Sequence, residues 1–406
     1  MVAHLWIDLQ QVLWSGLLIT HEVYMNSRER LLTSLSHREP DHVPLDIGGS
    51  DVTGIHRDAY KHLAHYFGLN EDAPICEIVQ QVALPEETML RKLEVDTRPV
   101  FPLSPDNWVL SIKPSGRYKT FMDEWGVEWA MPKENGLYFD MVSHPLAKFT
   151  QVSELSSYII PDPTNPGRFK GLRESVEKII ADTQAAIIMM PPYGGLFESG
   201  FWLRGYKQFL QDLAGNPKMA EAILDITLQF RLAYWAKALE EVGDLVDVVV
   251  EYDDLGSNTS LLISPQMYRR YLKPRHKQLY GFIKSHSHAY MFLHSCGAIY
   301  PLIPDFIEAG VDILNPIQVS ATHMGDGKKL KLEFGKDITF WGGGVNTQSI
   351  LPMGTTQEIK EEVRRRIGDF SPGGGFVFAA VHNIQPDVPP ENIVAMLEAW
   401  KEYGKY

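Results

Sequence analysis

The chain has 406 residues, which is enough for one large domain or two ordinary ones. Its hydrophobic content of 44% and charged content of 22% are typical of a soluble globular protein with a full core. The formal net charge of −13, without a clustered stripe of Lys and Arg, argues against nucleic acid as a partner. The two cysteines, Cys76 and Cys296, do not form a disulfide framework, and this favours the reducing cytoplasm.

The first 24 residues contain a short apolar run that only weakly resembles a signal peptide. This stretch has no basic segment at its start and no small-x-small cleavage site, and it is too short to span a membrane. We therefore predict an N-terminal extension over 1–24, no membrane segment, and a folded domain over 25–406. The domain is expected to start with a helix capped by Ser27.

Short apolar runs alternate with helical patterns along the rest of the chain. Two helix starts are clear: a capping box from Thr355 to Glu358, and Pro390 at the first turn of the last helix. Strand–helix alternation repeated eight times predicts an α/β protein with a parallel sheet, a (β/α)8 TIM barrel. The predicted strands cover 43–47, 94–98, 185–190, 246–252, 289–294, 311–314, 338–341 and 375–380.

Residues 105–150 interrupt this alternation. They are rich in aromatic side chains and contain turn signals at 114–116 and 134–136. This composition predicts a small antiparallel insertion after the second barrel strand. The insertion could form a lid over the ligand-binding face or a wall of the pocket, or it could be a packed surface hairpin.

Polar and titratable side chains follow the predicted strands. In a barrel the loops after the strands form the active site, so these residues are expected at one rim. Such a rim suits hydrolytic, lyase or transfer chemistry on a small-molecule substrate. The candidate side chains are Asp96, Arg98, Tyr193, Glu198, Asp253, Asp254, His294, Cys296, Gln318, Asn346 and His382.

His294 and Cys296 form the most informative pair, because both come directly after a buried strand. Imidazole and thiolate at this spacing are suited to Zn²⁺. His382 ends another strand and is the candidate third ligand, although it could contact the substrate instead. Three protein ligands leave one zinc position open, which is the pattern of catalytic sites.

Some of the remaining candidates have more than one interpretation. Asp253 and Asp254 could supply a fourth ligand or a general base, or they could cap the following turn. Arg98 could hold a substrate carboxylate, or it could pair with Asp96. Tyr193, Gln318 and Asn346 are candidate substrate-binding residues, and Glu198 is a candidate catalytic carboxyl group.

Several stretches resemble the uroporphyrinogen decarboxylase superfamily, and together they extend over nearly all of 25–406. This resemblance implies a (β/α)8 barrel, in agreement with the strand pattern. The stretches that carry it are 28–30 with 38–44, 294–297, 310–318 and 382–392.

One departure from this family bears on function. Its decarboxylases carry an arginine-rich Met-Arg-Gln-Ala-Gly-Arg stretch that holds substrate carboxylates, whereas the matching segment 45–50 has no arginine here. The His-x-Cys pair resembles the zinc methyltransferases of corrinoid systems. Their third ligand is usually a cysteine, and His382 instead matches the decarboxylase histidine.

The resemblance therefore implies a zinc-dependent methyltransferase. It would move a methyl group between a small methylated or methoxylated compound, or a thiol, and cobalamin. Asp253, Asp254 and Glu198 would tune charge or move protons. The prediction allows a corrinoid protein as partner and a homodimer.

Two alternatives stay open at this point. One is a metal-independent decarboxylase, in which Asp96 or Asp254 protonates a carbanion and Arg98 holds a carboxylate. The other is a non-enzymatic accessory protein that binds a corrinoid or methyl carrier.

Overall fold

The computed structural model describes residues 24–192 and 194–406. Apart from Tyr24, the extension predicted over 1–24 lies outside the described residues, and so does Tyr193. The strands in chain order are β1 (Ile55–His56), β2 (Ile75–Glu77), β3 (Val82–Ala83), β4 (Thr97–Val100), β5 (Lys113–Ser115), β6 (Tyr118–Met122), β7 (Glu128–Pro132), β8 (Asp140–Ser143), β9 (Ala186–Met189), β10 (Val248–Tyr252), β11 (Tyr290–His294), β12 (Ile313–Asn315), β13 (Thr339–Trp341) and β14 (Phe376–Val377).

Helices cover the outside of the sheet. Short 3₁₀ segments lie at Val152–Ser157, Pro166–Phe169 and Tyr300–Leu302, and a π-helical turn covers Tyr268–Leu272. The α-helices are α1 (Ser27–Leu35), α2 (Arg57–Phe67), α3 (Glu87–Leu93), α4 (Leu172–Thr183), α5 (Leu196–Arg204), α6 (Tyr206–Gly215), α7 (Pro217–Val242), α8 (Pro265–Met267), α9 (Lys273–His286), α10 (Ile303–Ala309), α11 (Gly327–Phe334), α12 (Ile350–Met353), α13 (Thr356–Phe370) and α14 (Pro390–Tyr403).

Seven parallel strands form the central sheet, in the order β14-β13-β12-β11-β10-β9-β4. The segment 43–47 closes the gap between the two edges of this sheet. Asp46 donates its N–H to the Phe378 carbonyl at 2.9 Å, and Asp96 donates its N–H to the Leu45 carbonyl at 2.9 Å. The predicted TIM barrel is confirmed, with 43–47 as its first, irregular strand position. Pro44 lies in this segment and has no N–H to donate, which shortens the ladder.

The second barrel strand begins later than the sequence predicts. Residues 94–98 read as a strand, but α3 ends at Leu93, and Glu94 takes the left-handed conformation of a helix C-cap at φ 63°. Strand β4 therefore starts at Thr97.

The predicted antiparallel insertion is present. Strands β5 to β8 form a four-stranded antiparallel sheet between β4 and β9. Phe121 on β6 packs against Trp129 on β7, with ring centroids 6.2 Å apart, and against Phe139. A second small sheet, β1-β3-β2, lies before α3 and is missing from the sequence prediction, because its strands are too short to show an alternating pattern.

The helix ends follow from local capping. The capping box of Thr355 and Glu358 opens α13 as predicted. The first helix is capped by Asn26 rather than by Ser27. The Asn26 side chain accepts the Glu29 N–H at 2.9 Å, and Glu29 accepts the Asn26 N–H at 3.0 Å. Among the described residues, no helix is both long and apolar enough to cross a membrane.

The barrel interior is a packed core, as expected for this architecture. Phe292 and Trp341 lie within it, with ring centroids 5.4 Å apart. A larger apolar layer fills the space between the sheet and the helices. These layers fix the strand ends, and the candidate site lies beyond the carboxyl ends.

Candidate metal centre and active-site cavity

His294, Cys296 and His382 converge at the carboxyl end of the barrel. His294 is the last residue of β11, and His382 follows β14. One ligand atom from each lies within 4.8 Å of the others, so the three could hold a metal ion. Gly297, at φ 92°, lets the chain turn directly after Cys296 and pass close to the backbone of Gly256, where a side chain would collide.

The His294 ring is held in one orientation by Asn315. The Asn315 side-chain amide donates to the Trp341 carbonyl at 3.0 Å, so its oxygen is the atom that faces His294. His294 Nδ1 lies 2.6 Å from this oxygen and therefore carries the proton. His294 Nε2 faces Cys296 and lies 3.3 Å from its Sγ, within hydrogen-bond distance of the thiol. This is how metal-binding histidines are commonly oriented.

The surroundings of Cys296 disfavour the thiolate form of its side chain. Burial raises the pKa of its thiol well above the ordinary value, and the carboxyl groups of Asp254 and Glu198 raise it further. The Cys296 N–H donates to Asp254 Oδ1 at 2.7 Å. A bound divalent cation would reverse this balance by stabilising the thiolate and the nearby carboxylates. The donor set therefore fits a metal ion.

His382 is less well prepared to bind a metal than His294. Burial lowers the pKa of His382 to about 4, and the neighbouring His294 contributes to the shift, so the ring is neutral. However, its Nδ1 accepts the N–H of Asn383 at 2.8 Å. The proton of the neutral ring therefore lies on Nε2. To act as a ligand, His382 must give up this hydrogen bond or turn its ring.

Asp254 and Glu198 are the carboxyl groups beside the donor set. Asp254 Oδ1 lies 3.7 Å from His294 Nε2, and its side chain is 40% exposed. Burial raises the pKa of Glu198 well above its ordinary value, with further contributions from Asp254 and Asp253. Glu198 accepts the Gly195 N–H at 2.9 Å through one oxygen. Both side chains line the cavity described below.

Asp253 has a different environment from its neighbour. Its carboxylate is buried and accepts the N–H groups of Phe197 at 2.7 Å and Glu198 at 3.2 Å, at the start of α5. Its second oxygen lies 2.6 Å from His276 Nε2. Asp253 therefore anchors the N-terminus of α5. The sequence had left open a cap of the turn after Asp254, but the helix that Asp253 caps lies earlier in the chain.

The structure places Asp96 and Arg98 away from the donor set. Asp96 precedes β4, so it lies at the opposite end of the barrel, where it pairs with Arg30 at 2.7 Å. Arg98 points outward to α3 and pairs with Glu87 at 2.8 Å. Asp96 also accepts the Leu45 N–H at 2.9 Å. These contacts leave neither residue placed to hold a substrate at this rim.

Gln318 and Asn346 lie nearer to the site. Gln318 accepts the Gly297 N–H at 2.7 Å and donates to Asn258 at 2.5 Å, so it supports the loop that carries Cys296. Asn346 accepts the Gln348 N–H at 2.8 Å within its own turn.

A cavity of about 330 Å³ lies against His294 and His382. Its wall combines aromatic rings with carboxyl groups, and none of its described lining residues is Lys or Arg. Three of the rings come from the insertion: Trp108, Phe121 and Trp129. The insertion therefore forms part of the cavity wall. The other lining side chains that bear on function are Asp51, Cys76, Glu77, Phe101, Glu198, Trp202, Tyr252 and Asp254.

Sequence reasoning missed Asp51 and Glu77. Tyr252 donates its hydroxyl to Asp51 at 2.6 Å, and burial raises the pKa of Asp51. Burial also raises the pKa of Glu77 to about 7, with a contribution from Asp51. The position of Asp51 could have identified it as a candidate, because it follows Gly48-Gly49 at the end of the first barrel strand.

A second cavity, of about 420 Å³, reaches the donor set from another side. Cys296 lines this cavity, and His382 and Gln80 line both cavities. Its wall is rich in side-chain amides, from Gln80, Asn258, Gln318, Gln348, Asn383 and Gln385. The donor set thus lies between an aromatic, acidic cavity and an amide-lined one.

Parts of this chain are similar in sequence to known proteins. It is 26% identical over 208 residues to a uroporphyrinogen decarboxylase from Chlorobium chlorochromatii, covering 49% of this chain and 53% of that protein. It is 24% identical over 217 residues to a methylated-thiol–coenzyme M methyltransferase from Methanosarcina mazei, covering 52% of this chain and 54% of that protein. The chain thus matches about half the length of these two relatives.

A solved structure and a family profile extend the comparison. A methyltransferase from Methanosarcina mazei superposes with a TM-score of 0.65 at 20% identity, covering 94% of this chain and 99% of that one, which supports the same fold. The profile of uroporphyrinogen decarboxylase (URO-D) matches residues 122–403. The resemblance predicted from the sequence is confirmed: the chain belongs to the uroporphyrinogen decarboxylase (URO-D) family.

Proposed function

We propose that this chain is a zinc-dependent, corrinoid-linked methyltransferase that moves a methyl group between a small methylated compound, or a thiol, and cobalamin. One observation carries the proposal. The donor atoms of His294, Cys296 and His382 lie within 4.8 Å of one another, and His294 and His382 border a cavity without a lining Lys or Arg among the described residues.

The residue chemistry supports zinc as the metal. An imidazole whose Nε2 faces the site and a thiol two residues later are typical zinc donors. With His382 as the third donor, one position stays open for a substrate atom. When bound, zinc acts as a Lewis acid that stabilises a leaving heteroatom or makes a thiol more nucleophilic.

The protein side chains have separate tasks in this proposal. Asn315 holds His294 in the tautomer with the proton on Nδ1. The aromatic wall binds the methyl compound and keeps water away from it. Glu198 and Asp254 stand beside Cys296 and can hold or release a proton there. The amide-lined cavity gives the second reactant, a corrinoid on a partner protein or a thiol, its own approach to Cys296.

Decarboxylation of uroporphyrinogen is the competing activity, because relatives bear that name. A substrate with eight carboxylates needs several cationic side chains. The cavity wall offers carboxyl groups instead, and Arg98 is engaged by Glu87. This charge balance favours methyl transfer.

The experiment pairs metal analysis with two assays on the purified chain. We expect about one zinc per chain and a change in cobalamin absorbance when a methyl donor or a thiol acceptor is supplied under anaerobic conditions. Active enzyme without zinc would refute the zinc mechanism. Coproporphyrinogen formation without any cobalamin signal would favour the decarboxylase.

A further inference from the structure

We infer that the methyl compound bound in the aromatic cavity is a methylated onium cation, an ammonium or sulfonium that carries several methyl groups. The inference rests on the proposed function, because it names the substrate class of that reaction. It depends on three features of the cavity: its rings, its carboxyl groups and the absence of cationic side chains among the described residues that line it.

The rings form a continuous wall. Trp129 lies edge-on to Trp202 at a centroid distance of 5.5 Å and is stacked on Phe121 at 6.2 Å. Trp108 and Phe101 line the same space. The π-faces of such rings attract a cation whose charge is spread over methyl groups, and the attraction is strongest where water is excluded.

The carboxyl groups supply the negative charge that a cation requires. Asp51, Glu77, Glu198 and Asp254 all line the cavity. Asp51 accepts the Tyr252 hydroxyl at 2.6 Å. Repulsion also links two of these groups, because Asp51 raises the pKa of Glu77. A bound cation would relieve this repulsion.

The absence of Lys and Arg from the described wall narrows the substrate class further. A donor that carried a carboxylate would meet five carboxyl groups, and no Lys or Arg among the described lining residues. Neutral methyl ethers would gain from the rings but would leave the carboxyl groups without a counter-charge.

The chemistry of an onium donor is balanced without any proton. The bond between the methyl carbon and nitrogen or sulfur breaks, and its electron pair stays on the heteroatom, which leaves as a neutral amine or thioether. The methyl carbon forms its new bond with an electron pair from the acceptor, cobalt(I) of the corrinoid or a thiolate. A thioether product stays neutral, so it loses its attraction to the carboxylates and is released more easily.

Calorimetric titration of the zinc-loaded protein tests this inference with matched probes. Choline and 3,3-dimethylbutan-1-ol have the same shape and differ in charge, and trimethylsulfonium tests the sulfur alternative. We expect choline, trimethylsulfonium or both to bind at least about tenfold more tightly than the alcohol. Asp51→Asn, Glu198→Gln and Trp108→Leu should each reduce this preference, whereas Asp140→Asn, an exposed change on β8, should not.

Each outcome has a defined meaning. Equal binding of choline and the alcohol, or methyl transfer from a neutral methoxy compound by a zinc-loaded protein that does not bind either cation, would overturn the inference and leave the proposed function intact. Binding of the cations by a protein that contains no zinc and transfers no methyl group would refute the proposed function, and with it the assignment of the cation as methyl donor.

Discussion

Two adjacent carboxylates, Asp253 and Asp254, show how differently two polar regions at the same barrel rim are built. Asp253 is buried, and its oxygens are used by two N–H groups of α5 and by His276. Asp254 is 40% exposed, lies 3.7 Å from His294 Nε2 and faces the cavity. The first region is internally satisfied, whereas the second has donors and charges that a ligand could use.

This difference distinguishes polar groups that stabilise the fold from polar groups that are available to a ligand. Glu251 resembles Asp253, since it is buried and its carboxylate is held by Arg231 at 3.0 Å and Trp235 at 2.5 Å. Cys296 and Glu198 have raised pKa values. Arg231 offsets the shift of Glu198 only in part, and no Lys or Arg is among the described residues that line the cavity. A buried polar group with its own partners stabilises the fold, while one without a counter-charge indicates a missing ligand.

The largest expected effect on stability is at Asp253. Asp253→Ala leaves His276 and two N–H groups at the start of α5 without an acceptor, so we expect the free energy of unfolding to fall by about 3–5 kcal/mol. Asp254→Ala is the matched control and should change it by less than about 1 kcal/mol, because that side chain is partly exposed. Denaturant unfolding measures both. Equal losses would contradict the distinction drawn between the two regions.

The next effect concerns the residue that orients His294. Asn315→Ala removes the acceptor of the Nδ1 proton, so we expect zinc affinity to fall about 10–100-fold. Asn346→Ala is the control, because Asn346 caps a turn at the same rim without touching the donor set. Competition with a chelating dye measures the affinity. An unchanged zinc affinity in the Asn315 variant would show that the ring orientation is fixed in another way.

The last expected effect is a pH dependence from Glu77. Its folded-state pKa is raised from an ordinary 4.5 to about 7, with Asp51 and Cys76 beside it on the cavity wall. Between these values the folded protein keeps a proton that the unfolded chain has released, so stability falls as pH rises. Glu77→Gln should flatten this part of the stability curve, and the exposed change Glu174→Gln should leave it unaltered. Equal slopes in all three proteins would refute this account of Glu77.

The sequence predicted the barrel well because buried strands leave strong local signals. The order of the strands then follows from parallel connections, which explains why His294, Cys296 and His382 could be predicted as neighbours. Side-chain direction was harder to predict. Arg98 points to α3, because Glu87 offers it a partner that lies eleven residues earlier in the chain.

The cavity wall was the least predictable part. Asp51 and Glu77 lie in or beside the short strands between the first and second barrel positions, where two- or three-residue segments give no periodicity. Asp253 and Asp254 are equivalent in the sequence, and only the position of α5 distinguishes them. The roles of these side chains depend on tertiary contacts, which the local sequence pattern does not reveal.

The central claim is that His294, Cys296 and His382 hold zinc, and elemental analysis of protein purified without chelator tests it most directly. We predict about one zinc per chain in the unaltered protein and almost none after Cys296→Ala. His382→Ala should keep more zinc than Cys296→Ala does, since His382 Nδ1 is already engaged by Asn383. Cys76→Ala, which removes the other free cysteine, should keep the full amount. Unaltered protein without zinc, or a Cys296 variant that retains one zinc per chain, would contradict the account.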